Sequence, residues 1–188
     1  MHSLLGSVAL AVTLAATLAP VPDPDPAPSA PPRVAPRDQH LLANGPQYVY
    51  DRAYARAGTA IVAFRGPTGR ATVVFVVQGM PHSAWGRTFG VHVHRDRCGR
   101  TAASAGPHFS NPRAPRGARI SEREIWLDVR VLPGGWGMSR TTTTYAMPDG
   151  ANAHSVVLHA RPTNRSTGDA GARLFCTNVD MSDLPSVG

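Results

Sequence analysis

Residues 90–98 read GVHVHRDRC, and the architecture of the chain unfolds from the two histidines in that run, His92 and His94. Side chains two apart on a β-strand point to the same face, so an extended backbone here presents both imidazoles side by side. Two imidazoles held that way by a rigid strand can bind one metal ion. An isolated His-x-His recurs by chance, so its weight comes from its company: His108 in SAGPHFSNP, His159 in HSVVLHARP and Arg173 in GDAGARLFC.

Working outward, short β-type segments follow one another between turn signals. They are 48–54, 59–64, 71–78, 88–94, 124–132, 138–147, 155–160 and 173–179, punctuated by RGPTGR, GMPHSAWG, LPGGWG and MPDGANA. Such spacing predicts an all-β sandwich or barrel of about eight antiparallel strands. No segment carries a convincing helical period. The stretch Arg95–Arg123 is irregular and long, and loops of that length in compact domains are usually functional or disordered. It contains His108 and, near its start, Cys98.

Ahead of these strands, Leu4 to Ala19 is an apolar run that predicts a secretory leader or a retained N-terminal anchor over residues 1–19. Residues 20–46 include the proline-dense PVPDPDPAPSAPPRVAP and are expected to be an extended, disordered tether. The folded domain is expected over 47–180, with a tail at 181–188. Either reading of residues 1–19 places the domain outside the cytoplasm, secreted or tethered at a membrane or wall. The two cysteines, Cys98 and Cys176, are then expected to pair. That pairing would pin the loop over the strand bearing His92 and His94.

Every one of the 19 Lys+Arg residues is arginine, and the formal charge is +7. The arginines are scattered rather than gathered into a stripe with aromatics, which disfavours nucleic acid. A diffuse positive field favours small anionic substrates. Four imidazoles with no thiolate or carboxylate ligand beside them suit Cu(II), and copper, unlike zinc, changes oxidation state readily.

The ordered set HVH, SAGPHFSNP, SVVLHA and GDAGARLFC resembles the copper/zinc superoxide dismutase family over roughly residues 47–180. The resemblance implies a Greek-key β-barrel. It implies His92, His94, His108 and His159 as ligands of one copper ion and Arg173 as a substrate-guiding residue. Cys98–Cys176 would be the intrasubunit disulfide. It also implies dismutation of the superoxide anion to dioxygen and hydrogen peroxide by alternating Cu(II) and Cu(I), with His108 changing its metal bond or protonation between half-reactions. A non-catalytic copper-binding domain on the same barrel is the alternative.

The chain departs from the family at the zinc site. Asp128 fits the zinc aspartate, but no histidine lies between His108 and Asp128, and Ile125 stands where the last zinc histidine would be. The loop from His159 to Arg173 is short as well. This pattern resembles the copper-only branch, including secreted actinobacterial members with an EIWLD-like segment, and zinc is not expected. Without zinc, Asp128 is the first expected partner for the second nitrogen of His108, with Glu124 the other. A monomer is favoured.

Overall fold

The computed structural model describes residues 40–187. The leader expected at 1–19 and most of the tether lie outside the described residues. Ten strands follow in chain order: β1 (His40–Gly45), β2 (Tyr48–Val49), β3 (Gly58–Arg65), β4 (Arg70–Gln78), β5 (Thr88–Phe89), β6 (Val91–His94), β7 (Val129–Arg130), β8 (Gly137–Ala146), β9 (Ser155–His159) and β10 (Arg173–Asn178). They form two four-stranded sheets, β1-β3-β4-β8 and β2-β10-β9-β6, with β5–β7 as a separate ladder. Every pair of strands is antiparallel. After visiting the second sheet the chain returns to lay β8 beside β4, a long return of the Greek-key kind.

The apolar alternation accounts for the core. Ile61 and Ala63 on β3 and Val73, Phe75 and Val77 on β4 face inward from the first sheet. Val91, Val93, Val156, Leu158 and Phe175 meet them from the second. Two sheets packed face to face in this way normally leave their outer faces to water. The second sheet does not. Every residue of β6 and β9 is buried, on both faces, because the irregular segment after β6 folds back over the outer side.

That segment is ordered by local turns. A 3₁₀ turn spans Ala102–Ala105 and a single α-helical turn spans Ile120–Arg123. His108 and Trp126 each make a bridge to β6, at His94 and His92 respectively. Cys98 and Cys176 are joined, with 5.7 Å between their Cα atoms, fixing the start of the loop to β10.

Three expected boundaries change. Residues 40–45, assigned to the tether, form β1 and pair with β3 from His40↔Ala63 to Gly45↔Thr59, because HLLANG lies beyond the prolines and keeps its backbone donors. The tail expected at 181–188 is packed: Met181 and Leu184 are buried, and the Arg65 N–H donates to the Pro185 carbonyl at 2.7 Å. The strand expected at 124–132 narrows to β7, with the residues before it held to β6 by single hydrogen bonds such as Leu127 N–H to Val91 O, 2.7 Å.

Opening the disulfide frees a loop spanning a sequence separation of 78. The Cys98→Ser/Cys176→Ser protein should lose about 2–4 kcal/mol of stability, read as a lowered urea midpoint against the oxidised parent.

Candidate metal centre

The strand pairing places three of the expected histidines on one face. Cross-strand partners share a side of a sheet, and the register sets His92 opposite Val157 and His94 opposite Ser155. His92, His94 and His159 therefore project together from the outer face of the second sheet, beneath the loop that carries His108. The four rings converge, and their ligand-capable nitrogens all lie within 4.8 Å of one another. His92, His94 and His159 are buried, while the His108 side chain remains 19% exposed.

Each ring is oriented by an acceptor behind it. The Nδ1–H of His94 donates to the Gly106 carbonyl at 3.0 Å, and that of His159 to the Gly171 carbonyl at 3.0 Å. Both glycines have positive φ, +65° and +78°, which other residues reach only with strain. The glycines of SAGPH and GDAGAR thus aim carbonyls at two imidazoles. Nδ1 of His108 donates to Glu124 Oε2 at 2.9 Å, and the same oxygen accepts from the Trp126 indole N–H at 2.7 Å.

His92 is fixed through a hydroxyl. Asp128 accepts from the Thr163 backbone N–H at 3.0 Å and, through a shorter contact, from the Thr163 hydroxyl. A hydroxyl that donates its hydrogen to a carboxylate can only accept from its other neighbour. His92 Nε2, 2.7 Å from Thr163 Oγ1, is therefore the protonated nitrogen.

These partners assign every tautomer. The inner nitrogens, His92 Nδ1 and Nε2 of His94, His108 and His159, carry lone pairs. They face one another, His92 Nδ1 to His108 Nε2 at 2.9 Å and His94 Nε2 to His159 Nε2 at 3.3 Å. Acceptor against acceptor makes no hydrogen bond. A buried acceptor without a donor costs about 1–3 kcal/mol. A cation among the four nitrogens relieves that cost, and neutral imidazoles are ready ligands. Burial chiefly, with the neighbouring His108 next, pushes His92 well below its ordinary pKa and His94 down to about 2. Burial is also the largest cause for His159, lowered to about 4.

Arg173 stands at the edge of this cluster, half-buried, and its charge also helps depress His94 and His159. Its guanidinium donates to Ala102 O and Gly106 O, both at 2.6 Å. Gly106 O thus receives His94 and Arg173 together.

The carboxylates exchange the expected ranking. Asp128, the first choice as partner of His108, instead engages Thr163, because the short loop after β9 brings that residue between it and the sheet. Glu124 accepts the hydrogen bond from His108 Nδ1. Ile125 is buried in the core. Sequence reasoning missed Thr163, a threonine among turn residues with no distinguishing signal. Trp126, two residues after Glu124, was not expected at the site either.

No family profile and no curated protein matches the sequence. Among solved structures, the clock protein EA4 aligns with a TM-score of 0.49 at 16% identity, over 76% of this chain and 94% of that one. Two variants of superoxide dismutase 5 from Candida albicans align with TM-scores of 0.46 and 0.48 at 17% and 16% identity. They cover 78% and 79% of this chain and 92% and 96% of their own. Likeness at this level leaves the chemistry to the side chains.

Two outcomes follow from the geometry. Thr163→Val removes the hydroxyl that fixes His92 and should weaken metal affinity by about 10–100-fold, measured by competition with a chromophoric chelator. Histidines held neutral by the fold bind fewer protons than in the unfolded chain. Metal-free protein should therefore keep its full stability above about pH 6.5 and lose it as the pH falls. The loss continues towards about pH 4 for His159 and about pH 2 for His94. Unfolding free energies from urea titrations across that range should fall by up to about 1.4 kcal/mol per pH unit for each of His94 and His159.

Proposed function

We infer that the four histidines hold one copper ion and that the domain is an exported superoxide dismutase of the copper-only type. The observation that carries this reading is the set of four inward lone pairs, each fixed by an acceptor on the far side of its ring. An all-nitrogen donor set of four neutral imidazoles, with no carboxylate or thiolate among the ligands, suits copper better than the harder divalent ions. Engagement of His108 Nδ1 by Glu124 supports a single ion, because a protonated nitrogen is not free to ligate a second one. When bound, copper supplies the one-electron reduction and oxidation by which superoxide becomes dioxygen and peroxide.

The remaining work falls to the chain. Arg173, braced against two loop carbonyls, offers its remaining N–H donors and a fixed positive charge to an approaching small anion. His108 is the ring that solvent reaches. Glu124 holds the hydrogen at its Nδ1. The disulfide supports the export reading, since such bonds persist in oxidising compartments.

Copper counted by elemental analysis and superoxide consumption followed by pulse radiolysis test this reading together. One copper per chain is expected, with fast consumption that His108→Ala abolishes. Stoichiometric copper with no consumption would identify a copper-binding domain without this activity, and failure to retain copper would overturn both.

A further inference from the structure

Part of the outer face of the first sheet is apolar where a sandwich ordinarily meets water. On β3 and β4 the inward positions are buried, so the alternate residues Ala60, Val62, Val74 and Val76 face out and are half-buried. The register continues the row onto β8, where Met138 lies opposite Val76 and Arg140 opposite Val74. Met138 is 63% exposed. Trp136, two residues earlier on the same side, is 49% exposed, and Leu132, its bridge partner across the LPGGW turn, is 36% exposed. A tryptophan, a leucine and a methionine therefore crown a hairpin tip that continues into the apolar sheet face. Isolated exposed apolar residues need no explanation, but a contiguous set of this kind marks a contact surface.

Charge decides what meets it. Arg140 is the only charged residue among the outward positions named, and exposed Arg130 stands on the neighbouring ladder. A two-fold pairing of this face would repeat Arg140 on both sides, with no carboxylate among the outward positions named to receive it. A flat anionic surface answers both features: indole and thioether groups settle at the boundary of a lipid layer while guanidinium groups meet phosphate. Among the described residues no helix is long and apolar enough to cross a membrane, so the contact is peripheral.

We propose that the Leu132–Trp136 hairpin tip and the adjoining outer face of the first sheet dock on an anionic phospholipid surface, with Trp136 and Met138 at the lipid boundary and Arg140 on the headgroups. This orientation is independent of the metal centre, so the two readings fail separately.

The test uses the full chain and vesicles of phosphatidylcholine with or without phosphatidylglycerol. Because the apolar run at residues 4–19 can itself enter lipid, the readout is specific to one indole: quenching of Trp136 emission by bromine-labelled acyl chains, isolated by subtraction of Trp136→Phe. Quenching on the anionic vesicles is expected, with little on phosphatidylcholine alone. Met138→Ser and Arg140→Gln, which keep the Trp136 indole, should both weaken the contact, Arg140→Gln about fivefold, with unchanged thermal midpoints. Absence of Trp136 quenching, or equal quenching on both vesicles, would overturn the proposal. So would a dimer in light scattering that Trp136→Ser/Met138→Ser converts to monomer, which would assign the face to a second copy.

Discussion

The constraint on which this site depends is the confrontation of buried lone pairs. An imidazole has two nitrogens and, when neutral, one hydrogen. Gly106, Gly171, Glu124 and the Thr163 hydroxyl each draw that hydrogen to the outer side of a ring. What remains inside is four acceptors. Protonation of His94 or His159 would place positive charge in a buried space beside Arg173, which burial and that arginine both oppose. A metal ion would satisfy all four at once.

Much of the rest of the barrel serves that arrangement. The second sheet provides a rigid floor, and the loop after β6 provides the ceiling. Gly106 couples them, since one carbonyl holds both His94 and Arg173. Gly106 has φ +65°, which a side chain would strain, so the turn that aims this carbonyl favours glycine. The Cys98–Cys176 bond ties the ceiling to β10, the strand that also carries Arg173. Loop anchoring, ligand orientation and placement of the positive charge are therefore one mechanical problem.

The sequence made the fold class legible because the strands carry it locally: period-two alternation and turn residues need no knowledge of the tertiary structure. It also pointed to the four histidines and the cysteine pair through their motifs, and these residues do meet in space. The carboxylates were harder. Glu124 and Asp128 are four residues apart, a spacing that sets both on one face of a regular strand, yet an irregular segment separates their tasks, one to His108 and the other to Thr163. Nothing local distinguishes Thr163 from other turn threonines; its place depends on how the loop after β9 closes. Boundaries failed for the same reason. β1 and the packed C-terminal segment gain their structure from partners distant in the chain, Ile61–Ala63 and Arg65, rather than from their own pattern.

The assigned tautomers test the account most directly, before any metal is added. Nitrogen-15 NMR of the histidine side chains in metal-free protein at neutral pH should show His92 protonated at Nε2, and His94, His108 and His159 protonated at Nδ1. His92, His94 and His159 should be neutral. Inner nitrogens of those three rings carrying hydrogens, or any of the three remaining cationic at that pH, would contradict the convergence of lone pairs from which the metal centre is deduced.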